Sequence, residues 1–233
     1  MTRSLTCALT VVASLAIVHS SPRAAAPKAA GAAPSLTAVS SLSDGLVRDT
    51  NGDGIADAVA ARVVVPAHAS VAEATAAANL AARLGFETSA LTLPIVLTDA
   101  ADVPRGTIPI VVGRDNALLK KVSGAVVNLS DLKPGQGLIA AGRMADGDAA
   151  IVVAGPDDEG TLAAADEMAA RLPRLWNMSG ITLPAIEDQV STFLRAHGVS
   201  SGRPTLSAIV VDSNRRGIAS VHVVLPAEAS QAR

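Results

Sequence analysis

The sequence predicts an α/β fold, a mixed sheet with helices packed on it, and three observations carry that prediction. Short runs rich in valine and isoleucine, at 58–65, 108–112 and 149–154, are closed by proline or glycine as buried strands are. Between them lie stretches whose apolar residues recur at helical spacing. Those stretches carry start and stop signals, such as Ser70 with Glu73 three residues on, and strands alternating with helices form layered α/β domains.

Residues 1–20 read as an export signal. Arg3 supplies the positive end, 9–18 form an apolar core, and small residues allow cleavage after Ser20 or after Ala26. The core is too short to span a bilayer, which takes about 20 residues. The competing reading is a buried N-terminal helix, against which the alanine and proline that follow argue. Cys7, the only cysteine, lies inside this signal, so the mature chain is expected to lack disulfides, thiolate nucleophiles and cysteine-ligated metals. It precedes the apolar core, which also argues against a lipid anchor. Residues 21–41, rich in alanine, proline and serine, read as a linker. The location expected is secreted or periplasmic.

A domain over 42–180 opens with Asp49-Thr50-Asn51-Gly52-Asp53-Gly54-Ile55-Ala56-Asp57. Calcium takes roughly six to eight oxygen ligands, and a chain curled around the ion can deliver several from a few residues. Asp49, Asn51, Asp53 and Asp57 would give side-chain oxygens and Ile55 its carbonyl, with Gly54 at the sharp turn. The alternative is a pair of Asn-Gly and Asp-Gly turns whose carboxylates face water. An ion here would pin the entrance of the next strand, a structural task, with affinity in the range of about 10⁻⁴ to 10⁻³ M found in extracellular modules.

After the strand at 58–65, Ser70 caps a helix reaching Leu84, with Gly85 as its stop. An extended segment over 86–97 is interrupted by Pro94; the strand at 108–112 ends at Gly113, and a short helix follows over 115–122. Strands at 138–143 and 149–154 flank Asp146-Gly147-Asp148, a hairpin signal. A helix over 157–172 gathers Asp157, Asp158 and Glu159 at its positive end and Arg171 near its negative one. A helix over 184–197 then leads to strands at 207–212 and 218–225, joined by Asn214-Arg215-Arg216-Gly217. This helix-hairpin extension, 181–233, reads as the start of a further unit, and the natural polypeptide is expected to continue past Arg233.

Several function classes find little support. Net charge is -2 with scattered lysine and arginine, so no nucleic-acid footprint is visible. Tyrosine is absent and only Trp176, Phe86 and Phe193 are aromatic, too few for stacking sugars or bases. The strand-to-helix loop 154–160 has the place of a phosphate loop, but three carboxylates there would repel phosphate. His68, His197 and His222 share no metal-ligand spacing, and Ser179 lacks a nucleophile setting. Asn128-Leu129-Ser130 and Asn177-Met178-Ser179 match the N-glycosylation triplet, which also arises by chance. No later segment is expected to span a membrane.

Residues 49–57 with the strand that follows resemble the calcium loop of integrin-type FG-GAP repeats, in which aspartate, asparagine, aspartate and aspartate fall at the same four spacings. The loop also resembles dockerin and EF-hand loops in part, departing at the twelfth position, where Ala60 replaces an acidic ligand. The resemblance implies calcium on Asp49, Asn51, Asp53, Ile55 and Asp57. A second resemblance covers about 62–176: Arg62-Val63-Val64-Val65-Pro66, Leu80-Ala81-Ala82-Arg83-Leu84-Gly85, Ile110-Val111-Val112-Gly113, Gly137-Leu138-Ile139 and the run 151–160. It is similar to the small α/β domain that precedes the catalytic barrel in family 20 β-hexosaminidases and α-glucuronidases, a non-catalytic domain that packs on the barrel. No barrel and no paired catalytic acids follow here. The expectation is a secreted, calcium-stabilised accessory or interaction module whose partner is another domain or protein of carbohydrate-related function. The rival is the N-terminal part of an exported glycoside hydrolase-like enzyme, and an adhesion or envelope-binding role is a third.

Overall fold

A computed structural model describes residues 35–90, 92–124, 127–171, 183–199, 204–215 and 217–225, all within the unit Ala32–Arg233. The expected signal at 1–20 and most of the linker lie outside these residues. The last part of the expected linker is anchored to the fold: Leu36 is fully buried and its N–H donates to the Leu206 carbonyl at 2.8 Å. Ordered chain therefore begins before 42, because an apolar side chain at 36 has a place in the core.

In chain order the elements are β1 Val47–Arg48, β2 Ala58–Val59, β3 Ala61–Val65, α1 Val71–Phe86, β4 Val96–Thr98, β5 Ile108–Val112, β6 Gln136–Arg143, β7 Ala149–Ala154, α2 Asp158–Arg171, α3 Leu183–Ala196, β8 Thr205–Asp212 and β9 Gly217–Val224. β1 and β2 form a small antiparallel pair, and the other seven strands form one mixed sheet ordered β4-β3-β5-β7-β6-β8-β9. β4, β3, β5 and β7 are mutually parallel, whereas β6 runs antiparallel to both β7 and β8. The hairpin expected to open a new unit is part of this sheet, since β8 pairs with β6 from Gln136↔Asp212 to Ala140↔Ala208. Leu206, Ala208, Ile209, Val210 and Val211 bury both faces of β8, which suits an interior strand.

All three α-helices contribute to one core on one face of the sheet. Leu80 and Leu84 of α1, Met168 of α2 and Leu183 and Ile186 of α3 meet Val63, Ile110, Ile139, Ile151 and Ile209 there. Each buried aliphatic side chain of this kind contributes about 1.5–3 kcal/mol. The other face carries no α-helix among the described residues. Leu118, Leu119, Val122, Leu129 and Leu132, from the segment between β5 and β6, cover Val64, Val111, Leu138, Val152 and Val210.

Local signals decide most element ends. Ser70 accepts the Glu73 N–H at 3.2 Å and Glu73 accepts the Ser70 N–H at 2.8 Å, the reciprocal cap foreseen for α1. The Glu73 carboxylate also fills the seam between the loops after β3 and β5: a Cβ on Gly113 (φ 89°) would stand 2.0 Å from Glu73 Oε1. Gly85, expected to end α1, lies inside it, because Arg83 pairs with Glu87 and the Glu87 N–H closes on the Arg83 carbonyl one turn later. The helix expected over 115–122 is a 3-10 turn, Ala117–Lys121, whose cap Asn116 is buried and donates to the Val64 and Val112 carbonyls. The β6–β7 hairpin forms as foreseen, with Met144 N–H donating to the Asp148 carbonyl at 2.8 Å.

Candidate metal centre

The residues 49–57 form the tip of the β1–β2 hairpin, whose base pairs are Val47↔Val59 and Arg48↔Ala58. Leu46, Val47, Ala56 and Val59 bury that base in the main core. The Ala56 carbonyl accepts from Ser89 N–H at 2.9 Å and from the Thr88 and Ser89 hydroxyls, each at 3.2 Å. The tip is thus an exposed loop on a buried stem.

Within the tip, the side chains of Asp49, Asn51 and Asp53 turn toward the backbone just ahead. Asp49 Oδ1 accepts from the N–H groups of Asn51 (3.2 Å) and Gly52 (2.7 Å), and Oδ2 accepts from Gly54 N–H (2.7 Å). Asn51 Oδ1 accepts from Asp53 N–H at 3.0 Å, and Asp53 Oδ1 accepts from Ile55 N–H at 2.8 Å. Asp53 Oδ2 also takes the Asn51 amide at 3.1 Å. Asp57 closes the loop: Oδ1 accepts from Thr50 N–H at 2.9 Å, and both oxygens lie within 2.9 Å of the Thr50 hydroxyl. Gly52 (φ 81°) and Gly54 (φ 86°) occupy the left-handed region that such reversals require. The Gly54 N–H is the main reason the Asp49 carboxyl is held below its ordinary value; burial opposes it, and Gly52, Asn51 and Asp53 N–H groups add to it.

The five sequence-predicted ligands, Asp49, Asn51, Asp53, Ile55 and Asp57, therefore share one nine-residue tip. The donor chemistry fits a hard cation: it is all oxygen, and a carboxylate has about four lone-pair sites, of which Asp49 spends three and Asp53 two. The arrangement is a hydrogen-bonded turn, not an assembled cage. Among the described residues no group of three or more histidine, cysteine, aspartate or glutamate side chains is arranged to hold a metal ion. Asp57 is committed to the Thr50 N–H and hydroxyl.

The loop 154–160 has a different use for its glycines. Asp157 Oδ1 accepts from Gly160 N–H at 2.7 Å and Oδ2 from Gly135 N–H at 2.8 Å, so a carboxylate holds the start of α2. A Cβ on Gly160 would lie 2.1 Å from the Gln136 carbonyl oxygen, and one on Gly155 2.7 Å from Gly160 C. The space a phosphate loop would leave open is filled by backbone.

The histidines stay apart in role. His197, in the turn after α3, has Nδ1 2.8 Å from the Phe193 carbonyl oxygen, whereas His222 Nε2 is 3.2 Å from Ser220 Oγ on β9. His68 is exposed in the turn after β3. Ser179, Asn177 and Trp176 lie outside the described residues, and Asn128 is exposed. Sequence reasoning missed Arg62, which is 6 % exposed on β3; its Nη1 donates to the Val59 and Ala61 carbonyls, and burial pushes its pKa down. It also missed a groove on β9, whose signal is the alternation of Ser220 and His222 with Val221 and Val223. No helix among the described residues is long and apolar enough to cross a membrane. Neither a protein-family model nor a curated protein matches this chain.

Proposed function

We propose that the chain is a secreted, calcium-stabilised, non-catalytic accessory module that works by packing against another domain or protein. The observation that supports the ion is the run of oxygens at Asp49, Asn51, Asp53 and Asp57, all within one nine-residue tip whose stem is core. Calcium would take side-chain oxygens of these four and the Ile55 carbonyl, and Asp57 would exchange the Thr50 hydroxyl for the ion. An ion at the tip ties the stem to the start of the sheet, because β2 is followed one residue later by β3. Its contribution is stability, through mass action on the folded state.

The test is a thermal melt in chelator and in excess calcium, with magnesium as control. At calcium near one hundred times Kd the folded state gains about 2.7 kcal/mol, which in a domain of this size raises Tm by roughly 5–10 °C. An unchanged Tm at about 0.1 M calcium, one hundred times the weakest Kd expected, removes the ion from the reading. The rival, an N-terminal part of an exported glycoside hydrolase-like enzyme with its catalytic domain beyond Arg233, draws on the resemblance over 62–176. A longer reading frame encoding a barrel with adjacent acidic residues would decide for it.

A further inference from the structure

We propose that a groove on the sheet face opposite α1, α2 and α3 binds a small hydroxy-carboxylate, gripped by Lys133 and Arg215 and read by the Ser220–His222 pair. The groove has a volume of about 700 Å³, within the roughly 300–1,000 Å³ of small-molecule sites. Val210, 5 % exposed, contributes to its apolar part, and β9 supplies Ser220 and His222. The pairings Val210↔Ser220 and Ala208↔His222 put both polar residues on the same face as Val210. Lys133 and Gln136 come from the opposite side, and the β8–β9 turn brings Arg215.

The sequence of β9 accounts for the opening. Its side chains Ile218, Val221 and Val223 pack on the helix-side core, while the other face shows Ser220 and His222. β8 next to it is apolar on both faces and is covered on both. A strand with one polar face leaves that face for water or a polar ligand. Ser220 Oγ and His222 Nε2, 3.2 Å apart, together present a donor and an acceptor, and the Ser207 hydroxyl holds the His222 carbonyl at 3.0 Å. No group among the described residues orients the second ring nitrogen of His222, so the pair suits recognition better than nucleophilic attack.

Charge selects the ligand class. The two carboxylates of the groove are engaged locally: Asp131 with the Asn128 amide at 3.4 Å, and Asp212 with Asn214 N–H at 3.0 Å and Arg215 Nε at 3.9 Å. Lys133 makes no ion pair among the described residues, and the Arg215 side chain is 81 % exposed. By contrast, a groove between α2 and β8 is lined by Glu159, Asp166, Glu167 and Asp212 with no lysine or arginine. One lysine and one forked guanidinium match a monocarboxylate, and two nearby aspartates disfavour a dianion such as phosphate.

The experiment titrates the protein in calcium-free buffer with glycerate, glycerol and inorganic phosphate, following the His222 ring resonances by NMR and heat by calorimetry. Saturable shifts with glycerate are expected, none with glycerol, and phosphate weaker by about tenfold. Lys133→Glu and Arg215→Glu should each weaken glycerate by about tenfold or more, and Asp102→Asn, in another groove, should leave it unchanged. A variant whose melt shows misfolding is replaced by Lys133→Gln, for which a several-fold loss is expected. Glycerate that fails to saturate, phosphate that binds as well, or affinity indifferent to both cations would each overturn the proposal.

Discussion

Two loops of this chain look alike in composition and are built on opposite principles. The tip at 49–57 and the turn at 154–160 both mix aspartate with glycine, and in both a carboxylate gathers the N–H groups of the residues ahead. At the tip, nothing lies within 4 Å of a Cβ placed on Gly52 or Gly54, and both have positive φ. At the turn, Cβ atoms on Gly155 and Gly160 would run into backbone, and neither has positive φ. Glycine serves conformation in the first loop and space in the second.

The sharpest way to break this contrast is Gly160→Ala. A methyl group 2.1 Å from the Gln136 carbonyl oxygen cannot be absorbed by a flexible side chain, so α2 must lift from β6. We expect a loss of about 3 kcal/mol, a fall in Tm of roughly 6–12 °C, read by calorimetry. Next comes Asp49→Ala. In chelator it should change stability little, because the tip is exposed and water can take the freed N–H groups, but it should abolish the gain of about 2.7 kcal/mol that the proposed calcium site would give. Parallel melts with and without the ion separate the two effects. Gly54→Ala meets no obstacle and bears only the left-handed backbone, a cost of about 1 kcal/mol by denaturant unfolding. Should Gly54→Ala prove worse than Gly160→Ala, the contrast fails.

Acid gives the smallest effect. The folded Asp49 carboxyl lies below its ordinary value of 3.8, so its support of the tip is complete above 3.8 and disappears as pH falls below that value through the folded pKa. Hydrogen exchange at the Gly54 N–H in calcium-free buffer should accelerate, relative to its intrinsic rate, only in that acid window, with α2 unaffected.

What the sequence made legible follows the range of each interaction. The Ser70–Glu73 cap, the β6–β7 hairpin and the carboxylates at the start of α2 depend on neighbours a few residues away, and each was readable. The end of α1 was misjudged, because Gly85 was weighed without the Arg83–Glu87 pair across it. The place of β8 beside β6 joins residues about seventy apart, and local pattern could say only that β8 was a strand. The same limit hid the β9 groove, since Lys133 and His222 meet only once the sheet is assembled. That Asp49, Asn51, Asp53 and Asp57 share one turn was legible from their spacing; that Asp57 is tied to Thr50 was not, because the pattern gives spacing and not bonding.

The wedge of Glu73 against Gly113 has a bearing on how relatives of this chain can vary. Position 73 both caps a helix and occupies the room that position 113 leaves vacant, so the two sites constrain one another across forty residues. Shortening the residue at 73 first surrenders half of the reciprocal cap and leaves an interim hole, whereas a side chain arriving first at 113 meets the Glu73 carboxylate at 2.0 Å. Drift at this joint is therefore expected to be paired and directional, and a lineage in which 113 varies freely while 73 stays glutamate would mean the joint is packed differently there.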